Sequence, residues 1–406
     1  MSLGGARRSP VRQLHRVKKQ APVRPAKISL REILLPLVEP FVTANGVVEN
    51  RRVVLLELMD ADGAATWSEC VAEATPSYSP ETVDGAWLAL SEWVIPTILG
   101  QTFSHPHDAH MRLANRVRGN NMARAAVEMG LWGLAAEKHG RSLASLLADA
   151  SRSEDAPRKS VETGIVLGMQ SSSEALRERV GLALSQGYRR IKLKVSPETD
   201  VRDIQAVSDL LKNRAALSVD ANCTFSMDDP RHVALLEQLD SLHLSMIEQP
   251  LGCDDLVRHA ELQRRIATPI CLDESIASDS DAEAMIALSS ARIVNLKPAR
   301  VGGFAESIAI HDRCAGAGIP VWCGGMLESG IGRAYNVALA SLPDFTLPGD
   351  LSPSERYWRR DIVTSPWVMS SRGEVEVPLE RKGIGVEADT AYIEELTLRE
   401  KTFGAR

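Results

Sequence analysis

Five short apolar runs, each closed by a charged residue, recur at a nearly constant interval between Lys192 and Lys297. They read IKLK (Lys192, Lys194), LSVD (Asp220), SMIE (Glu248), ICLD (Asp273) and IVNLK (Lys297), spaced by 26, 28, 25 and 24 residues from Lys194 onward. One strand, one helix and two loops fill such an interval, so the period predicts consecutive βα units in a parallel barrel or sheet. Charges at the C-terminal ends of neighbouring parallel strands converge on one mouth, where barrel enzymes keep their chemistry.

Strand parity sharpens this. Residues two apart share a face. Lys192 and Lys194 therefore point into the barrel together, as do Asn295 and Lys297, while Ile191, Leu193, Val294 and Leu296 face the helices. The same count turns Asp220, Glu248 and Asp273 inward, where unpaired charge is costly. Three carboxylates on adjacent strands repel one another unless a cation joins them, and an all-oxygen donor set suits Mg²⁺, with Mn²⁺ as the alternative, over zinc. Two blander readings stand beside this one: strand-end acids that cap loops, and lysines that simply pair with those acids. With GIVLG (164–168) as the first strand, Lys194 closes the second and Lys297 the sixth, on opposite sides of an eight-stranded ring. A carboxylate held between them would present an α-carbon with an amine on each face. Lys192, a like charge two residues from Lys194, is expected to lower the pKa of that amine.

The rest of the chain builds or covers this mouth. A basic extension, residues 1–26, is expected to be disordered. Residues 1–27 hold eight Lys/Arg and no acid, leaving 39 bases against 53 acids in the remainder. Such an arm could touch nucleic acid, but the bland reading is a solvated extension. Strands in ISLREILLPL, RRVVLLELMD and ATWSECVAE, with a loop at 38–50 and helices near 80–98, 107–117, 121–138 and 141–148, predict an α+β capping domain over 27–150. Asn120 or Asn121 is read as the cap of the third helix. The barrel follows over 151–350, with GIPVWCGG (318–325) as seventh strand and FTLPGD (345–350) as a weak eighth. The segment 351–406 is expected to complete barrel and cap. No run of about 18 apolar residues occurs, so no membrane span is expected. The six scattered cysteines read as reduced core residues of a cytoplasmic protein. His105, His107 and His110 read as surface histidines.

The strings RIKLKV, SVDAN, IEQPL, TPICLDES and IVNLKP resemble the muconate-lactonizing subgroup of the enolase superfamily. ELQRRIATPICLDES, IVNLKPARVGG and HDRCAGAGIPVWCGGMLESGIGRAYNVALASLPDFTLPGD are similar to the o-succinylbenzoate synthase / N-succinylamino acid racemase (N-acylamino acid racemase) family, over about residues 28–390. The resemblance implies a modified (β/α)7β TIM-type barrel under an N-terminal α+β capping domain. It implies Mg²⁺-dependent abstraction of the proton α to a carboxylate, through an enediolate, by Lys194 and Lys297, with Lys192 tuning the former. Asp220, Glu248 and Asp273 would bind the metal. Asn222 would lie near its shell, and Arg300 would modulate Lys297. Gly324, Gly325, Met326 and Glu328 would line the pocket floor, and the cap loop near 38–50 would set specificity. Either a synthase step leading toward menaquinone or a racemisation is compatible with two lysines. Cycloisomerase, dipeptide epimerase and non-catalytic binding are the alternatives; the epimerases favour an Asp-x-Asp element that GGMLES lacks. The resemblance further implies a small-molecule carboxylate substrate, no nucleic-acid or membrane partner, and a homo-oligomer. The chain departs from the family pattern at Ala44-Asn45-Gly46, Val166 and Ala299.

Overall fold

The structure, a computed structural model, describes residues 21–43, 46–153, 155–170 and 172–405. Most of the basic extension, residues 1–20, lies outside these. Strands Pro25–Thr43, Gly46–Asp60 and Ala65–Cys70 form an antiparallel sheet, and Thr397–Gly404 joins it along the outer edge of the first strand. Ile28 and Leu30 point into the core, and beyond a register shift at Glu32/Ile33 the buried set becomes Ile33 and Leu35. One irregular residue thus resets the face that the strand buries.

Helix Asn121–Lys138 lies on this sheet and is buried almost all round. Gly133 permits the approach, because a Cβ there would stand 2.6 Å from the Tyr335 hydroxyl and 2.9 Å from Thr66 Oγ1. The same helix reaches the barrel. The buried Glu128 carboxylate accepts from the backbone N–H groups of Phe304 (2.7 Å) and Ala305 (3.0 Å) and from Trp132 Nε1 (2.8 Å). It therefore caps the barrel helix Phe304–Gly316, whose first donors have no partner within the helix.

Seven parallel strands follow: Gly164–Leu167, Arg190–Lys194, Ala216–Asp220, Met246–Glu248, Ile270–Leu272, Ile293–Leu296 and Val321–Cys323. Each pairs with the next in chain order, and helices alternate with them. FTLPGD is not a regular eighth strand. It makes single bridges, Phe345 to Val321 and Gly349 to Thr163, so an extended segment joins the seventh strand to the start of the first. Pro348 supplies no ladder donor, which limits regular pairing there. The architecture is thus a modified (β/α)7β barrel with an antiparallel, helix-backed cap.

Several sequence expectations need correction. The segment 38–50 is mostly strand, not loop: Phe41 pairs with Val48, Val42 with Val47 and Thr43 with Gly46. Ala44 and Asn45 lie outside the described residues. Helices Gly330–Ala340 and Thr390–Leu396 were not expected. Asn120 and Asn121 do not cap their helix through a side chain. Glu81 does so from a neighbouring loop, accepting from Met122 N at 3.0 Å, while Asn121 Nδ2 donates to the Arg300 carbonyl across the cap–barrel boundary. His105 is buried edge-on against Trp132 rather than on the surface. All six cysteines are free thiols, but Cys253 is exposed. Among the described residues no helix is long and apolar enough to cross a membrane.

Candidate active site

The parallel register puts three charges in one row, with Lys194 beside Asp220 and Asp220 beside Glu248. Glu248 pairs with Cys271, so Asp273 stands one same-face step higher. Cys271 pairs with Ile293, which puts Lys297 higher again. Such a climb is the stagger that closes a barrel. Lys194 and Lys297 belong to the second and sixth strands, with three strands between them, and both line one cavity of about 260 Å³. Cap residues Val47, Val48, Arg51 and Tyr78 form its roof. Four non-glycine residues around this mouth, Asn222, Cys223, Gln249 and Leu327, have positive φ. Backbone strain of that kind collects where a site fixes side-chain direction.

Each inward acid meets a cation. Asp220 Oδ2 accepts from Lys194 Nζ at 2.7 Å, Glu248 Oε2 from Lys192 Nζ at 2.7 Å, and Asp273 Oδ2 from Lys297 Nζ at 2.8 Å. Asn295 Nδ2 donates to Glu248 Oε1 at 2.7 Å. Arg300 pairs with Asp273 Oδ1, and the Tyr78 hydroxyl donates to the same oxygen at 2.9 Å. Lys297 Nζ sits 4.3 Å from the centre of the Tyr78 ring. Asn222 Oδ1 accepts from Lys194 at 2.5 Å, and its amide donates to Glu274 at 3.1 Å.

The electrostatics follow from this crowding. Burial works against charge on Asp220, but Lys194 and Lys192 outweigh it and hold the carboxyl well below its usual range. Burial, with Asp220 beside it, pushes Glu248 up to about 7. Burial, with Asp273 beside it, pushes Glu274 up to about 8. Burial alone would lower Lys297; the Asp273 carboxylate reverses this and holds the amine well above its ordinary value. Lys192 is not the bare like charge inferred from sequence. Its amine bonds Glu248 and, at 2.9 Å, Asp350 Oδ2, and these acids overcome desolvation and raise its pKa. Asp350 also holds the buried Arg190 at 2.5 Å.

As arranged, no three His, Cys, Asp or Glu side chains among the described residues converge closely enough to hold one metal ion. The acids are drawn onto the lysines instead. The donor chemistry nevertheless fits a hard divalent cation. Three buried carboxylates close adjacent strands, and burial, then the neighbouring Asp220 and Asp273, works against charge on Glu248 and Glu274, a cost that such an ion would relieve.

Gly325 and Met326 line the cavity, whereas Gly324 and Glu328, expected on its floor, lie behind it. Gly324 backs the Lys297 stem: a Cβ there would meet Asn295 Oδ1, and Lys297 Cε at 2.7 Å. Gly324→Ala is therefore expected to displace the Lys297 amine and lower kcat by about 10²-fold, with little change in far-UV circular dichroism. Glu328 accepts from Met326 N and Asn336 Nδ2, both at 2.8 Å, and so shapes the loop from below. Sequence reasoning missed Tyr78, Asp350 and Arg190. Arg190 was visible as a charged residue at even spacing from Lys192; Tyr78 and Asp350 carry no local signal.

A cap closing over a parallel barrel, with lysines on opposite strands and acids between, defines an enolase-type enzyme. Residues 26–148 match the mandelate racemase / muconate lactonizing enzyme N-terminal domain, and residues 175–392 match the enolase C-terminal domain-like family. The chain is 42% identical over 376 residues to the o-succinylbenzoate synthase of Geobacillus stearothermophilus, covering 93% of this chain and 96% of that one. It is 42% identical over 378 residues to the N-succinylamino acid racemase of Amycolatopsis sp, covering 93% and 99%. A crystal structure of an enolase-superfamily member from Listeria innocua superposes with a TM-score of 0.87 at 36% identity, covering 94% of this chain and 99% of that one. The chain belongs to the o-succinylbenzoate synthase / N-succinylamino acid racemase family of the enolase superfamily, a group of divalent-metal-dependent lyases and isomerases.

Proposed function

We propose that this chain removes the proton α to a substrate carboxylate as an o-succinylbenzoate synthase, an N-succinylamino acid racemase, or both. The observation that carries the reading is the placement of Lys194 and Lys297 on opposite strands of one cavity, with Asp220, Glu248 and Asp273 on the strands between. In this proposal the three acids hold Mg²⁺, or Mn²⁺ in its place. The cation supplies stabilisation for the negative charge that develops on the substrate carboxylate as the α-proton leaves.

The chain's own residues do the rest. One lysine, as the neutral amine, takes the α-proton. In racemisation the opposite lysine, as the ammonium, returns a proton to the other face of the same carbon. In the synthase reaction the second step is instead loss of hydroxide, which leaves as water with the proton that the first lysine took up. Asn222 orients Lys194, which bonds its amide oxygen at 2.5 Å. Arg300 and Tyr78 hold Asp273 through Oδ1, the oxygen that Lys297 does not use. Arg300 thereby modulates that lysine through a shared carboxylate. The cap segment 47–52 lines the cavity from the side opposite the barrel strands. The division of labour we infer is a cap over 27–150, a catalytic barrel over 151–350 and a C-terminal segment that serves both. A cytoplasmic homo-oligomer is the form expected.

Incubation with Mg²⁺ in D₂O and a panel of N-succinyl amino acids tests the proposal, with α-proton exchange followed by NMR. Exchange is expected with the metal and not after chelation, returning on re-addition of Mg²⁺. Exchange that ignores chelation, or no exchange and no dehydration of a cyclohexadienyl carboxylate, would overturn it.

A further inference from the structure

A buried cap carboxylate with no part in the chemistry above grips the barrel just behind Lys297. Glu69, on the cap strand Ala65–Cys70, accepts only from barrel donors among the described residues. Its Oε2 takes the Ser329 hydroxyl at 2.5 Å, the Ser329 N–H at 3.2 Å and the Gly332 N–H at 3.1 Å. Ser329 Oγ in turn accepts from Ile331 N at 3.2 Å, and Asp361 Oδ1 accepts from Gly330 N at 2.8 Å. The leading N–H groups of helix Gly330–Ala340, which have no partner within the helix, are thus all taken. Gly332 leaves room for this, because a Cβ there would stand 2.7 Å from Glu69 Oε2.

Ser329 ends the loop 324–329, which leaves the strand Val321–Cys323. The loop begins against Lys297: the Gly324 N–H donates to the Leu296 carbonyl at 3.2 Å, and Gly324 backs the Lys297 stem. Gly325 and Met326 then line the cavity. Leu327 sits at a φ of 56°, a strained setting that persists only when its surroundings hold it. The sheet fixes one end of this loop and Glu69 fixes the other. Lys194 is supported differently, by Asp220 and Asn222, and among the described residues no hydrogen bond joins Glu69 to that wall. Burial pushes the Glu69 carboxyl up to about 7, so its placement is costly. A capping box within the barrel would satisfy the Ser329 N–H without that cost. The join between cap and barrel is what Glu69 adds.

We propose that Glu69 is a positioning residue for Lys297: by holding Ser329 from the cap, it keeps the 324–329 loop pressed against that lysine and not against its opposite number. This rests on the two-lysine reading of the site. Glu69 meets neither substrate nor reacting atoms and acts only through the loop. Its effect is therefore one-sided. Loosening the loop displaces the Lys297 amine, leaves Lys194 in place, and slows proton abstraction from one enantiomer of a racemase substrate alone.

The test offers each enantiomer of an N-succinyl amino acid separately, in D₂O, to the Mg²⁺-loaded full chain and follows early loss of the α-proton by NMR. Glu69→Ala is expected to lower kcat for one enantiomer about tenfold, with KM within about twofold, and to leave the other at the wild-type rate. The slowed enantiomer should be the one that Lys194→Ala still exchanges, because Lys297 serves it. Glu69→Gln, which keeps an acceptor oxygen in place, should restore most of the rate. Backbone hydrogen exchange in the same samples should rise about tenfold over 326–332 in Glu69→Ala and stay unchanged over 217–222. Should Glu69→Ala fail to fold, Glu69→Asp, one methylene short, takes its place and must show the same one-sided slowing. Equal slowing of both enantiomers, slowing of neither, or unchanged protection over 326–332 overturns the assignment. A wild type that exchanges neither enantiomer defeats the catalytic reading instead, and the backbone protection still reports whether Glu69 holds the loop.

Discussion

Lys297→Ala is expected to reduce racemisation by more than about 10³-fold while the protein stays folded. Among the described side chains at this wall none can replace the amine. Burial pushes the Tyr78 phenol up, out of reach of neutral pH, and Arg300 stays charged. Folding should survive, because Asp273 keeps Arg300 and the Tyr78 hydroxyl as partners when the lysine is gone. The checks are polarimetry on an N-succinyl amino acid and a thermal melt of the same sample. A variant retaining a tenth of the rate would remove Lys297 from the chemistry.

The second large effect is on stability. Asp350→Ala is expected to cost about 3–5 kcal/mol, the penalty for leaving buried charge unpaired. Arg190 and Lys192 both rely on this carboxylate, at 2.5 and 2.9 Å, and Arg190 already has two unbonded nitrogens and lies 3.9 Å from the Trp322 ring centre. Lys192 would keep Glu248; Arg190 would keep no acid among the described residues. Urea unfolding of the metal-free chain measures the loss. Its pH dependence has a definite sign. Burial raises Asp350, but Lys192 and Arg190 outweigh it and hold the folded-state pKa below the ordinary value. The stabilisation is therefore fully present above the unfolded value of about 3.9 and is lost as pH falls through the lower folded value. The gap between wild type and Asp350→Ala should narrow on acidification below about pH 4.

Asp350 also shows why part of the site was hidden in sequence. The five charged strand ends were legible because strand parity and βα spacing are local, and local periodicity fixes which way Lys192, Asp220 and Glu248 point. FTLPGD has no such period. Its role as the closing segment depends on bridges to Val321 and Thr163, far away in the chain. Tyr78 was hidden for the same reason, since it reaches Asp273 from a cap loop 195 residues away. Lys192 reads as a bare like charge for a related cause: sequence shows its neighbour Lys194 but not the Glu248 and Asp350 carboxylates that its amine meets. The 38–50 segment misled through its Pro40, Asn45 and Gly46, which read as a loop although the flanking residues extend a long hairpin.

Everything above turns on the lysines addressing opposite faces of one carbon. The most direct measurement offers each enantiomer of an N-succinyl amino acid separately, in D₂O with Mg²⁺, to Lys194→Ala and to Lys297→Ala. Each variant keeps a single amine, so each should exchange the α-proton of one enantiomer with retention, and the two variants should select opposite enantiomers without interconverting them. Selection of the same enantiomer by both, or exchange that persists when both lysines are replaced, would contradict the account.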